Sequence, residues 1–312
     1  ILKYLIGVNI VSYQALYRKY RPTNFSDVVG QEHITEILKQ ELIENKLSHA
    51  YLFTGTRGTG KTTCAKILAR AVNCLNPKDG DPCGECEMCK AVALDEITDI
   101  VEIDAASNNG VDNIRDLRDQ IAFPPASAKY RVYIIDEVHM LSMGAFNALL
   151  KTLEEPPSYV IFILATTEVH KLPATILSRC QRFDFRRIEP LRICERIMAV
   201  ANMEGLTVTD SAAQLIASVA DGGMRDALSV LDLCASGNEV IDEDTVVKAC
   251  AMAGNEYLLR FSDYIKKQDT QSALLLIDEL HNNSVDMVRL LSELTNHYRN
   301  ILIAKTVKTK TK

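Results

Sequence analysis

The sequence predicts an α/β domain built on a parallel sheet, followed by helical domains. Three observations carry this. Short apolar runs alternate with helical patterns over about the first 185 residues. One of those runs passes into a helix through Gly55-Thr56-Arg57-Gly58-Thr59-Gly60-Lys61-Thr62, which fits the phosphate-loop pattern G-x-x-x-x-G-K-[ST]. After Glu189-Pro190 the pattern is helical throughout, and proline biases the residue before it away from helix.

Composition sets the bounds. A chain of 312 residues is long enough for two or three domains, and a hydrophobic fraction of 47% allows substantial cores. Charged residues at 24% are ordinary for a soluble protein, and a net charge of −6 argues against a generally basic nucleic-acid coat while leaving room for a local basic surface. The apolar opening Ile1 to Val11 falls far short of the roughly 20 residues a spanning helix needs, and no small-residue cleavage site follows it. Residues 1–11 are expected to be an extension upstream of the true start, with Val11 an alternative initiator. The cysteine count is nine, an odd number, and without an export signal these read as thiols and metal ligands rather than disulfides. The expected location is the cytoplasm.

The strands are expected at Tyr51–Phe53, Ile100–Ile103, Val132–Ile135, Val160–Leu164 and Arg182–Phe185, each apolar enough to be buried on both faces. Ligands in such sheets bind beyond the carboxyl ends of the strands. The phosphate loop sits there, followed by a helix from Thr63 to Val72 whose N-terminus faces the phosphates. Its glycines let backbone N–H groups wind around an anion, Lys61 reaches the β- and γ-phosphates, and the Thr62 hydroxyl ligates Mg²⁺. Val132-Tyr133-Ile134-Ile135-Asp136-Glu137 ends in two carboxylates. Asp136 is expected to hold Mg²⁺ and Glu137 to polarise the attacking water. Thr167 ends the next strand and reads either as a hydroxyl for the attacking water or the γ-phosphate or, which the residues alone favour, as the threonine common at strand ends. Ser178-Arg179-Cys180 precedes the last strand. Arg179 has no close acidic neighbour in sequence and reads either as an arginine finger or as an ordinary surface arginine.

Beyond Pro190, helices are expected at Leu191–Glu204, Ser211–Ala220, Met224–Cys234 and Asp244–Ala251, with Asp210 as an N-cap and Gly222-Gly223 as a separator. Arg225 either reaches back to the nucleotide across the domain interface or pairs with Asp226 or Asp221. A third helical group begins at Glu256 and covers Tyr257–Lys267, Thr270–Asn282 and Val285–Ala304, and the lysine-rich Lys305–Lys312 reads as a loop or truncation point.

Cys74, Cys83, Cys86 and Cys89 fall within sixteen residues. Four thiolates at C-x-x-C spacings suit a closed tetrahedral zinc site with no open position, hence structural. The alternatives are an iron–sulfur cluster, whose bacterial run has a different fourth spacing, and buried free thiols.

Taken together, Tyr17-Arg18-Lys19-Tyr20-Arg21-Pro22, Phe25-Ser26-Asp27-Val28-Val29-Gly30-Gln31, the phosphate loop, the four cysteines, Glu102 to Val111, Asp136-Glu137-Val138-His139, Leu177-Ser178-Arg179-Cys180 and Gly223-Met224-Arg225-Asp226-Ala227 resemble the N-terminal part of the bacterial DNA polymerase III gamma/tau subunits, clamp-loader ATPases of the AAA+ class. The resemblance covers Ser12 to about Ala304. It implies an ATPase domain at 12–188 with a zinc insertion at 74–89, a helical lid at 189–253, and part of a helical collar at 254–312 that continues beyond residue 312, without the tau-type tail. It implies an adenine pocket around Arg21, Val28 and Val29, a phosphate site from Gly55 through Thr63, Thr167 as sensor 1, Arg225 as sensor 2, and Arg179 as a finger acting on a neighbour's ATP. Implied partners are delta, delta-prime and further gamma/tau copies, the sliding clamp and primer-template DNA, with Arg115 and Arg118 as contacts to the DNA backbone. A helicase or branch-migration ATPase and a non-catalytic nucleotide-binding module are the competing readings. The intact Lys61, Thr62, Asp136 and Glu137 speak against the last.

Overall fold

The computed structural model describes residues 13–306 except 95, 112, 113, 115, 116, 118, 119, 238, 253, 283 and 284, with only the backbone of 254 and 255. The expected extension at 1–11 and the expected DNA contacts Arg115 and Arg118 lie outside the described residues.

Two compact units divide the chain: residues 1–200 with 217–229, and residues 201–216 with 230–312. The first is built on five parallel strands, β1 (Ala50–Thr54), β2 (Ile100–Asp104), β3 (Arg131–Asp136), β4 (Val160–Thr166) and β5 (Gln181–Asp184). Their order across the sheet is β2-β3-β4-β1-β5.

Successive side chains of a strand point to opposite faces, and here each face has its own core. Tyr51, Phe53, Ile134, Ile163 and Phe183 pack on one side with α2 (Glu32–Glu44), which follows the short α1 (Leu16–Lys19), and with α3 (Lys61–Val72), through Ile34, Leu38, Cys64, Ile67 and Leu68. Leu52, Tyr133, Ile135, Phe162 and Leu164 pack on the other with Phe146 and Leu149, which belong to the helix Met143–Glu154. Tyr133 and Phe162 stack at 5.6 Å, and Phe53 meets Phe183 edge-on at 5.8 Å. The three central strands are almost wholly buried, but β2 and β5 are not. The expectation of burial on both faces fails for these two because they form the edges, where one flank meets solvent.

Asp99, immediately before β2, is wholly buried. Its carboxylate accepts from the backbone N–H groups of Ala126, Ser127 and Ala128 at 2.8–3.0 Å and from Arg131 at 3.1 Å.

In the second unit, helices Glu243–Ala249, Gly254–Lys267, Thr270–Asn282 and Met287–Thr306 follow a small parallel pair, Thr207–Val208 with Val240–Ile241. Leu258, Leu276, Leu280 and Leu290 form a core there. The two-residue strands correct the expectation of a purely helical region; they are too short to show any alternation. Asp210 is the first helical residue of its helix, and the cap is Thr209, whose hydroxyl accepts from Ala212 at 3.2 Å. Among the described residues, no helix is long and apolar enough to cross a membrane.

Candidate nucleotide and metal sites

Strand β1 ends at Thr54 between β4 and β5, and the chain turns at once into the glycine-rich loop. Gly60 stands at φ +107°, ψ 5°, as the residue before α3. A side chain rarely adopts that conformation, so glycine there lets the loop close onto the helix N-terminus. Lys61 is buried, and its ammonium donates to the carbonyls of Gly55 and Thr56, both at 2.9 Å. The amine thus spans the loop like a bowstring. Burial lowers its pKa, while the nearby Glu137 and Asp136 carboxylates act the other way.

Thr62 follows on the first turn of α3 and donates its hydroxyl to Asp136 Oδ2 at 2.6 Å. The two groups, 74 residues apart in sequence, meet because β3 lies two strands from β1 and ends level with it. Asp136 Oδ1 accepts from the Glu137 N–H at 2.9 Å. A hydroxyl and a carboxylate converging in this way beside the phosphate loop fit the hard-oxygen donor set that Mg²⁺ prefers.

Glu137 has φ 46° and ψ 45°, a left-handed conformation that costs a non-glycine residue about 1 kcal/mol or more. Its Oε2 accepts from Thr167 twice, from the hydroxyl at 2.9 Å and from the N–H at 3.2 Å. His139, two residues on, places Nδ1 at 3.3 Å from the same Glu137 oxygen and 3.0 Å from Thr166 Oγ1, with Nε2 at 3.1 Å from Glu168. His139 belongs to the Asp136-Glu137-Val138-His139 string, and its place two residues after Glu137 is its only signal in the sequence.

Lys61, Thr62, Asp136 and Glu137 border a cleft of about 700 Å³, which Gly55, Thr56, Thr167 and His139 do not line, a size suited to a nucleotide. Arg57 to Thr63 line it, as do Asp136, Glu137, Arg21, Val28, Val29 and Arg225. Arg21 Nε donates to Thr63 Oγ1 at 3.1 Å. The Arg225 guanidinium lies 4.9 Å from the centre of the Tyr17 ring, a cation–π distance, and Tyr17 lines the cleft too. Asp221, one expected partner of Arg225, is bound instead by Arg187. Gln31 is wholly buried and donates to the carbonyls of Thr59 at 3.3 Å and Arg186 at 2.7 Å, which ties the loop to the segment after β5.

Arg179 is not among the cleft residues. It precedes β5, which runs parallel to β1, so it lies at the end of the sheet opposite the phosphate loop. It pairs with Glu154 Oε1, 2.8 Å away, as the reading of an ordinary surface arginine allows. The separation of 25 residues hides this pair from any local reading.

The four cysteines come together. Their sulfurs all lie within 4.8 Å of one another, with Cys74–Cys86 and Cys83–Cys89 at 4.0 Å. Zn–S bonds of about 2.3 Å in a tetrahedron put sulfurs about 3.8 Å apart, so the donors fit the ion. The Cys83, Cys86 and Cys89 N–H groups each donate to the sulfur of an earlier cysteine at 3.3–3.4 Å. N–H groups of Glu85 and Cys86 pull the Cys83 thiol down to about 6, while burial pushes the Cys89 thiol up. Cys64, Cys180, Cys194, Cys234 and Cys250 are dispersed and form no disulfide.

Two family descriptions match the chain: "DNA polymerase III, delta subunit" over residues 30–189 and "DNA polymerase III clamp loader subunit, ATPase lid domain" over residues 192–236. The DNA polymerase III subunit tau of Bacillus subtilis is 52% identical over 298 residues, which is 95% of this chain and 53% of that protein. The subunit gamma of Buchnera aphidicola is 38% identical, covering 91% of this chain and 79% of its own length. The chain belongs to the DNA polymerase III gamma/tau family. It spans about half the length of the tau relatives it matches, the Escherichia coli tau subunit among them at 41% identity and 44% of its length. The Thermotoga maritima RuvB structure, titled a Holliday junction branch migration motor, superposes with a TM-score of 0.56 at 18% identity, over 80% of each chain. At that identity the likeness speaks for the fold alone. For this gamma/tau family member, the resemblance read from its motifs and the family match agree.

Proposed function

We propose that this chain binds and hydrolyses ATP as a subunit of the replicative clamp loader, a cytoplasmic hetero-oligomer that places the sliding clamp on primer-template DNA. The observation that carries the reading is the meeting of Thr62 with Asp136 at 2.6 Å at the mouth of the phosphate loop. In this reading the triphosphate enters the loop, and Lys61 exchanges its two carbonyl partners for the β- and γ-phosphate oxygens. Thr62 and Asp136 would hold Mg²⁺, which when bound would neutralise charge on the phosphates. Glu137 orients and deprotonates the attacking water, and Thr167 governs where the Glu137 carboxylate points. Arg225 approaches the phosphates from the face it shares with Tyr17. The base lies against Arg21, Val28 and Val29.

Phosphoryl transfer depends on positioning and charge stabilisation more than on covalent chemistry. With one exception these groups serve this chain's own cleft, Thr167 through Glu137 rather than as a lining residue. The exception is Arg179, which lies away from that cleft and is proposed to serve ATP bound by an adjoining gamma/tau copy or other loader subunit. Delta, delta-prime and the clamp are the remaining proposed partners. Zinc at Cys74, Cys83, Cys86 and Cys89 is proposed to be structural. No polymerase chemistry is assigned to the chain.

The deciding experiment is an ATPase assay of the chain alone and together with the other loader subunits, clamp and primed DNA. The expected result is weak turnover alone and strong stimulation by the full set. Strand displacement by the chain alone would instead favour the branch-migration reading suggested by the shared fold.

A further inference from the structure

The cysteine cluster is joined to the wall of the cleft through one carboxylate. Lys78 and Asp81 exchange backbone hydrogen bonds at 2.9 and 2.8 Å, which closes a tight turn with Asp79 at φ 49° and Gly80 at φ 80°. Two left-handed central residues define the hairpin turn that glycine and aspartate favour. The turn presses on α2: a Cβ on Gly80 would stand 2.8 Å from the Cα of Lys39.

That contact delivers Asp81 to a fixed place. Its Oδ1 accepts from the Phe25 N–H at 2.6 Å, and its Oδ2 accepts from the Ser26 hydroxyl at 2.6 Å and the Lys39 ammonium at 2.9 Å. Lys39 also donates to Ser26 Oγ at 3.0 Å, so the group closes into a ring. The Asp81 side chain is only 14% exposed, which strengthens these bonds relative to a surface ion pair.

Both ends of this ring lead to chemistry. Two residues after Asp81, the Cys83 N–H donates to the Cys74 sulfur at 3.3 Å. On the other side, Phe25–Asp27 is a single 3-10 turn whose Phe25 carbonyl accepts from the Val28 N–H at 3.1 Å. Asp27, Val28 and Val29 line the cleft, and Val28 packs at Gly60 of the phosphate loop.

We propose that Asp81 is a positioning residue that couples the order of the four-cysteine insertion to the base-side wall of the nucleotide cleft, so that filling the thiolate site with metal tightens binding of the nucleoside part of the ligand. The inference rests on the nucleotide reading given above. It predicts a selective effect, because the wall formed by Val28 and Val29 meets the nucleoside, whereas the phosphates are held by the loop and Lys61.

The test compares ATP with inorganic tripolyphosphate, by calorimetric titration in Mg²⁺ buffer. Asp81→Ala removes all three bonds to the carboxylate and is expected to weaken ATP binding about tenfold, while tripolyphosphate affinity and zinc content stay at the wild-type level. Chelation of zinc from the wild-type chain is expected to produce the same selective loss, and to add nothing in Asp81→Ala. Lys39→Met, which leaves the Phe25 and Ser26 bonds in place, is expected to give a smaller loss of the same kind and guards against a folding defect in the alanine variant. Unchanged ATP affinity in both variants, or an equal fall for ATP and tripolyphosphate, overturns the proposal. A wild-type chain that binds neither ligand overturns the nucleotide reading itself and this inference with it.

Discussion

Thr167 donates both its hydroxyl and its backbone N–H to the Glu137 carboxylate, at 2.9 and 3.2 Å. The residue proposed to activate water is therefore engaged by the segment that ends β4, one strand away. Thr167→Ala deletes the hydroxyl bond and leaves only the weaker one. Hydrolysis is expected to fall about 100-fold, the scale of a misplaced general base, with ATP affinity nearly unchanged. Thr167→Ser keeps the hydroxyl and is expected to retain most activity. Steady-state ATPase in the assembled loader, alongside an equilibrium binding titration, checks the split. Equal activity of the alanine and serine variants would remove Thr167 from the mechanism.

Lys61 makes its two 2.9 Å bonds to Gly55 and Thr56 from a buried position. Two charge-assisted bonds to phosphate oxygens at about 1.5 kcal/mol each correspond to about 100-fold in affinity. Lys61→Ala is expected to lose at least that much, bringing ATP binding below detection in an ordinary titration. Undiminished affinity would contradict the phosphate-loop assignment.

Much of the first unit could be read from the residues alone, for a physical reason. Tyr51–Phe53, Val132–Ile135 and Val160–Leu164 are continuous apolar runs because both faces of those strands are covered, and such runs announce themselves. That Lys61, Thr62, Asp136 and Glu137 meet at one cleft is legible because each lies at or just past the end of β1 or β3, which end level in the sheet. What escaped depends on partners far away in sequence. Glu154 beside Arg179, Asp81 beneath Phe25, and His139 between Glu137 and Glu168 each follow from packing, which no local pattern encodes. Thr207–Val208 and Val240–Ile241 escaped because a pair of two-residue strands has no period to detect.

Arg179 pairs with Glu154 at 2.8 Å, on side chains that are 33% and 50% exposed. An exposed pair of this kind contributes at most about 1 kcal/mol, so it holds the arginine without binding it irreversibly. Arg179→Ala is expected to leave ATP binding and folding intact and to lower DNA-stimulated hydrolysis in the assembled loader about 1,000-fold, the scale of a missing arginine finger. Glu154→Gln is expected to leave both stability and stimulated turnover close to wild type. Full stimulation in Arg179→Ala would show that no neighbouring site depends on it.

The sulfur geometry predicts the metal content. Four sulfurs within 4.8 Å of one another are spaced to hold one ion, so elemental analysis is expected to find about one zinc per chain. Cys86→Ser removes one donor and the N-terminal cap of the helix Glu87–Ala93, since Cys86 Sγ accepts from the Cys89 N–H. It is expected to lose the metal and to lower the melting temperature. A brown, iron-containing protein would point to a cluster instead.

Asp99 offers a stability prediction with a definite sign. Burial alone would raise its pKa, but the N–H groups of Ser127, Ala126 and Ala128 and the Arg131 guanidinium outweigh it and hold the carboxyl down to about 2. The unfolded chain titrates at about 3.9. A depressed folded value means that the unfolded state takes up the proton first, so Asp99 stabilises the fold fully above about pH 4 and progressively less as pH falls toward about 2. The difference corresponds to about 2.5 kcal/mol. Asp99→Asn is therefore expected to destabilise the protein most at neutral pH, with its deficit relative to wild type shrinking as the solution is acidified through that window. Asp99→Ala is expected to cost more, about 3 kcal/mol or above, because it leaves three N–H groups and the largely buried Arg131 without their acceptor. Urea unfolding of the three proteins from pH 7 downward measures both effects, and an Asp99→Asn deficit that does not change with pH would refute the assignment of this carboxylate as the ionised anchor of the β2–β3 edge.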